Sequence, residues 1–356
     1  MSYKFNLNPR SAIAGVAGQR VFSRLINGVQ THYVQLRSTG VVTVTTALTA
    51  VRNKGSIWSA WQFIGLDENG RDRVLIDGRA LRALSEAFAI NQLSATRLTS
   101  TVTGATTLVE SARIYFAHPL CAAPAETVFK ERDPRQTLQI FAQLASDNGT
   151  AEIATGGAIS YSTTPSIAIE HGYDDITGEL PIFIPSIRQQ VVSVASANAQ
   201  LTEFIKTSNF IRGILIQQDD AGAGEVGDII NSFAFRADGD DIYGPGVITW
   251  DDLERGQEFE FGGNVYTFFG SPTLAGGASP GGSPGVGLGA SSYLMMNFQQ
   301  NGRLANVVSP ALLNLRFEFN VSTSGAAGTT GNKIRLTILE LERVAGLVTD
   351  RIPFPV

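Results

Sequence analysis

Two stretches decide the fold when set side by side: WQFIGLDENGRDRVLIDGRAL, Trp61 to Leu81, and FAFRADGDDIYGPGVITWDDL, Phe233 to Leu253. One offset, 172 residues (61 to 233), carries Trp61 onto Phe233, Phe63 onto Phe235, Ile76 onto Ile248, Leu81 onto Leu253 and, just beyond, Glu86 onto Glu258. The match is one of pattern more than identity. Each copy reads as two strands, an aromatic strand, an acidic turn (Asp67-Glu-Asn-Gly against Asp238-Gly-Asp-Asp), a short strand and a helix.

The relation extends outward from these stretches. Tyr115 falls on Tyr293 at an offset of 178, and Leu138 and Leu315 open matching strands at 177. A repeat of this length is a duplicated domain, since solenoid units span only about 20 to 50 residues. The boundary falls near Gly178, before Leu180-Pro-Ile-Phe-Ile-Pro185, which gives residues 1–178, with an N-terminal arm, and residues 179–356. The length of 356 residues suits two domains. Halves of this size bury roughly 70% of their unfolded surface and need no disulfide or metal to fold.

Apolar residues recur with period two, the pattern of strands with one buried face. The clearest run sets Leu313, Leu315, Phe317, Phe319 and Val321 on one face, with Asn314, Arg316, Glu318 and Asn320 opposite. Further strands are expected at Tyr33–Arg37, Val41–Thr46, Ile57–Ile64, Ser111–Phe116, Thr137–Leu144, Ile167–Glu170, Val191–Val194, Ile211–Gln217, Ile229–Phe235 and Tyr293–Phe298. Between Lys333 and Glu342 the apolar parity switches after Ile338 to Leu339 and Leu341, which predicts a β-bulge. Two segments read as helix. Asp77 caps one whose stripe is Leu81, Leu84, Ser85 and Phe88, and Thr249 with Asp252 opens a shorter one over Trp250–Arg255. The fold class is therefore all-β, two tandem eight-stranded jelly rolls each with a short helix; two unrelated sandwiches are the alternative.

Composition narrows the function classes. The net charge is −5 with 17% charged residues, so no basic face for direct nucleic-acid binding is expected. The lone Cys121 excludes an intramolecular disulfide and a thiolate metal cluster. Met1–Arg20 has no apolar signal core and no window spans a membrane, so a soluble, unexported chain is expected, and the sequons at Asn148 and Asn320 read as chance. Gly270–Ser292 is too rich in Gly, Ser and Pro to build a core and is expected to project or to mould itself onto a neighbour.

Candidate chemistry is thin. Gly222-Ala-Gly-Glu-Val-Gly227 matches a dinucleotide fingerprint in letters, but an alternating strand follows where a helix must supply its N-terminus. In the two G-x-S-x-G matches within Gly277–Gly285, a proline after each serine removes the N–H of an oxyanion hole. His32, His118 and His171 have no metal-type spacing, and the acidic turns Asp67–Asp72 and Asp238–Asp241 lack the twelve-residue loop of a calcium hand, so hairpin turns are the first reading and ion binding stays open. No catalytic, cofactor-binding or metal-binding residue is assigned, no cofactor is expected, and the chain does not read as an enzyme.

The first half carries Gln19-Arg-Val-Phe-Ser-Arg-Leu-Ile-Asn-Gly28, Ile57–Phe63 and Ile76-Asp-Gly-Arg-Ala-Leu-Arg-Ala-Leu84. The second carries Leu180–Pro185, Phe210-Ile-Arg-Gly-Ile-Leu-Ile-Gln217 and Lys333–Glu342. On these the chain resembles the double jelly-roll major capsid proteins of tail-less icosahedral phages, the tectivirus-like and corticovirus-like lineage. The resemblance implies a homotrimer with pseudo-sixfold outline that tiles an icosahedral virion shell, made in the host cytoplasm. Its implied partners are neighbouring capsomers, penton and minor capsid proteins, and an internal lipid membrane approached by a flexible Met1–Gly18 arm. A carbohydrate- or receptor-binding β-sandwich, such as a phage spike, is a second reading that would need exposed aromatic platforms. A cupin-like enzyme is a third, weakened by the histidine spacing.

Overall fold

The computed structural model describes residues 4–88, 95–116, 128–130, 137–174, 183–194, 200–220, 224–225, 229–244, 246–253, 293–298, 307–321 and 331–343. In the first half the main strands are β1 (Lys4–Ala14), β2 (Arg20–Arg24), β3 (Gln30–Thr46), β4 (Trp61–Glu68), β5 (Arg71–Ile76), β6 (Gly104–Tyr115), β7 (Leu138–Leu144) and β8 (Ala158–Asp174). They form one sheet in the order β1-β8-β3-β6 and a second in the order β2-β7-β4-β5. The second half repeats this with β9 (Phe183–Val194), β10 (Gln200–Phe204), β11 (Phe210–Asp220), β12 (Ile230–Ala237), β13 (split into Asp240–Asp241 and Ile248–Thr249), β14 (Tyr293–Asn297), β15 (Arg316–Val321) and β16 (Asn332–Arg343). Its sheets run β9-β16-β11-β14 and β10-β15-β12-β13. Each strand of the first half has its counterpart eight strands later, which is the double jelly roll.

Two irregularities repeat along with the strands. The register slips at Gln62 in β4 and at Asn231 in β12, and again at His32 in β3 and Arg212 in β11. Phe116 N–H donates to the His32 carbonyl (2.9 Å) just as Phe298 N–H donates to that of Arg212 (3.0 Å). A bulge bends and twists its strand, so matched bulges give matched corners. The two β-hairpins turn on Asn69-Gly70 (φ 51° and 85°) and Asp238-Gly239 (φ 50° and 102°), the left-handed pair that a two-residue hairpin requires.

These landmarks correct the residue-level repeat. The hairpins align Asn69 with Asp238, an offset of 169, whereas the helix caps Asp77 and Thr249 keep 172. Three residues inserted within the split β13 account for the change. Trp61 and Phe233 thus occupy equivalent strands, but Phe233 matches Ile64, and Phe63 is half-buried on the outer face while Phe235 is core. Tyr115 likewise corresponds to Asn297, not Tyr293, because both precede the matched Phe116 and Phe298. The offset of 177 between β7 and β15 holds, with Leu144 and Val321 at equivalent bulges.

Other expectations also shift. Tyr33–Arg37 and Val41–Thr46 are one strand, and Ile57–Ala60 is a 3-10 turn in which the Ser56 hydroxyl accepts from Trp58 N–H (3.2 Å). Leu313 lies outside β15 and is 66% exposed, since Asn314 takes a left-handed φ of 53° and breaks the alternation. The expected flexible arm is strand β1 from Lys4 onward, held edge to edge by β8. A further helical turn at Thr150–Ile153 had no apolar period to announce it; the Asp147 carboxylate accepts the Gly149 and Ala151 N–H groups there. The domain boundary near Gly178, His118, Cys121 and Gly270–Ser292 lie outside the described residues.

The parity switch in β16 has a different cause from a bulge. β16 pairs with β9 without any slip, from Phe183–Arg343 to Val194–Asn332. Ile334, Leu336 and Ile338 point into the second core, whereas Leu339 belongs to the first cluster. Both faces are buried because the first jelly roll covers the outer one.

Candidate functional site

The two jelly rolls meet through one sheet and one helix. β5 runs parallel to β9, with Val74 opposite Ile187 and Leu75 opposite Arg188, so a single sheet crosses both halves. Helix α1 (Gly78–Phe88) follows β5 at once, and the Asp77 carboxylate accepts the Ala80 N–H (2.7 Å) as its N-cap. The expected stripe is present, but nearly the whole helix is buried. Leu81, Leu84 and Phe88 share a cluster with Ile187, Leu215, Met295 and Leu339 of the second jelly roll. Gly78 opens the helix where a Cβ would strike the Trp58 carbonyl, so only glycine lets α1 approach this closely.

The polar side of α1 carries the charges of the joint. Arg335 on β16 donates to Asp77 (3.0 Å) and to Asp219 of β11 (2.8 Å), and Arg79 of α1 donates to the same Asp219 (3.2 Å). Arg82 pairs with Glu225, Lys54 lies 3.9 Å from that carboxylate, and Asn53 Oδ1 accepts the Glu225 N–H (3.0 Å). Burial alone would raise the Asp77 and Glu225 carboxyls, yet Arg335 and Arg79 hold the first, and Arg82 and Lys54 the second, below the usual carboxylate range. Burial pushes the Lys54 ammonium down to about 8, with Glu225 opposing the fall. Ions removed from water at such cost persist where they are paired, and the desolvation they suffer offsets much of what the pairing contributes to stability.

A second tie lies at the other end of β5. Arg73, buried, donates to Glu68 (2.6 Å) and to Glu342 of β16, which Arg71 also meets (3.1 Å). Arg212, the bulged residue of β11, reaches back to the carbonyls of Phe116 (2.6 Å) and Tyr115 (3.0 Å). None of these arginines stood out in the sequence. The one signal was Arg79 and Arg82 flanking an apolar stripe; nothing in the sequence pointed to Asp219 and Glu225 as their partners.

Several of the described residues weighed as chemical candidates have structural partners. Asp67 Oδ1 accepts the Gly70 N–H within its own turn (3.1 Å), Asp72 meets Arg20 (3.2 Å), and Asp241 meets Arg236 (2.9 Å). His171 is buried with Nε2 2.8 Å from the Thr31 hydroxyl, and burial pushes its imidazole down to about 4. After the described part of the glycine motif, Gly224–Glu225, comes the strand β12. Trp58, Trp61 and Trp250 are all buried, which leaves no indole platform for a sugar. Among the described residues no group of three or more His, Cys, Asp or Glu side chains is arranged to hold a metal, and no helix is long and apolar enough to cross a membrane.

No family model and no curated protein matches the sequence. Solved structures do. The STIV MCP superposes with a TM-score of 0.63 at 10% identity, over 97% of this chain and 99% of that one. The major capsid protein P2 from bacteriophage PM2 gives 0.57 at 12%, over 97% and 100%. The PBCV-1 virus capsid gives 0.62 at 10%, over 96% and 94%. At such identities the likeness is one of architecture, and it extends from end to end: this chain has the double jelly-roll fold of these capsid proteins.

Proposed function

We propose that the chain is a structural major capsid protein whose homotrimers, pseudo-hexameric capsomers, tile an icosahedral viral shell. The observation that carries this reading is the joint between β5, α1 and the β9-β16-β11-β14 sheet. It sets two near-equivalent jelly rolls side by side, so three chains present six similar units around one axis, and a closed ring uses up a heterologous interface that would otherwise grow into a fibre. The division at residues 1–178 and 179–356 follows from the same reading. So does an existence in the virion after synthesis in the host cytoplasm, with the chain's own copies as main partners and penton proteins, minor capsid proteins and an internal lipid membrane as further ones. The role is mechanical, so it calls for no catalytic centre, metal or cofactor, and the acidic net charge suits a shell that does not bind the genome directly. Native mass spectrometry and electron microscopy of the expressed chain test it. Trimers that assemble into sheets or shells are expected; a chain that stays monomeric at every concentration would refute it.

A further inference from the structure

The joint inside the chain leaves two counterparts unused. α1 lies across the outer face of β11 and β14 and along the edge of β6, where Ser85 bonds the Arg113 backbone, yet the outer face of β3 around Arg37, equivalent by the matched bulges at His32 and Arg212, carries no helix among the described residues. Conversely, the second helix start, capped by Thr249 (Oγ1 to Asp252 N–H, 3.1 Å), has Leu253 in its own core but leaves Asp251 and Asp252 exposed.

Charge is reversed between the two sets. The caps align Arg79 of α1 with Asp251, and α1 offers Arg79 to Asp219 on the outer face of β11. On β3 the residue equivalent to Gln217, two before Asp219 on that same face, is Arg37. Arg37 is exposed between the buried Leu36 and Ser38 and makes no ion pair with a described residue. Inside the chain a basic helix meets an acidic strand. The unused pair is an acidic helix start and a strand whose one exposed charge is Arg37.

We propose that a second copy of the chain seats its Thr249–Leu253 segment over Arg37 of β3, as α1 sits over Asp219, and that the reversed charge keeps the interchain joint from exchanging with the intrachain one. In a neighbour Arg79 and Arg82 are already buried and paired within its own joint, so only the exposed helix start of the second jelly roll can dock there. Complementary charge of this kind selects partner and register more than it adds affinity. The inference rests on the trimer reading and supplies the contact that closes it.

The test uses the full-length chain at low salt, where exposed charges are least screened. Trimer dissociation is measured by sedimentation velocity for wild type, Arg37→Glu, Asp251→Arg with Asp252→Arg, and the three changes together. All three positions are exposed; the Asp252 carboxylate also accepts from the Thr249 hydroxyl (2.6 Å), so its replacement loosens that helix start, and circular dichroism should show every variant folded. Either reversal alone should weaken the trimer by at least about tenfold, and the combination should recover most of the loss. A trimeric wild type indifferent to the reversals, or reversals without mutual rescue, would overturn this inference and leave the capsid reading intact. A monomeric wild type would overturn both.

Discussion

Arg335, on the last described strand, and Asp77, at the cap of α1, are 258 residues apart in the chain and 3.0 Å apart in space. The Asp77 carboxylate divides its work. Oδ1 starts the helix through the Ala80 N–H, and Oδ2 receives Arg335 and the Gln189 amide (3.1 Å) from the other jelly roll. One side chain therefore couples a local helix start to the closure of the whole molecule.

Asp77→Asn separates those roles, because asparagine caps about as well as aspartate. The cap survives, but Arg79 and Arg335 lose a counter-charge they share. Urea unfolding should show a loss of about 3 kcal/mol, and Asp77→Ala about 1 kcal/mol more. Equal losses for the two variants would show that the cap contributes nothing.

Leu339→Ala and Ile338→Ala probe adjacent residues that serve different cores. Both are buried, at 1% and 0% exposure, so each should cost about 2–5 kcal/mol. Hydrogen exchange should distinguish them. Leu339→Ala should speed exchange in α1, and Ile338→Ala in β12 and β15.

Gly70 and Gly239 hold left-handed φ values of 85° and 102° in open surroundings. Alanine at either should cost about 1 kcal/mol through backbone strain alone. The sites lie in different jelly rolls, so the double variant should show the sum in the denaturation midpoint.

His171 gives a pH dependence with a definite sign. Its folded value, about 4, lies below the unfolded 6.5, so between those limits the unfolded chain binds the extra proton. Its share of stability is complete above about pH 6.5 and is lost as pH falls towards 4, by up to about 3 kcal/mol. His171→Gln should remove this slope from stability measured between pH 7 and 4. An unchanged slope would place the acid sensitivity elsewhere.

Local signals made much of this architecture readable. Period-two runs found the strands, Asp77 and Thr249 announced their helices, and the near-constant offset that carries Ile76 onto Ile248 and Leu138 onto Leu315 exposed the duplication. What escaped was set by the other half of the molecule. The switch from Ile338 to Leu339 looks like a local fault until a second core is known to lie behind β16. Arg79 and Arg82 look like a solvated helix edge until Asp219 and Glu225 face them. Phe63 and Phe235 were paired wrongly because three residues entered β13 after the hairpin, a shift that aromatic spacing alone does not reveal.

The place of β16 also sets a timetable. It lies between β9 and β11 in its sheet and supplies Leu339 and Arg335 to the joint, yet it is the last described strand to leave the ribosome. All eight strands of the first jelly roll are made before it, so they can close early around much of the helix, but the part of the joint that meets Leu339 and Arg335 stays open until β16 has emerged. A chain cut short by even this one strand keeps the flank that Leu339 and Arg335 would cover open to solvent.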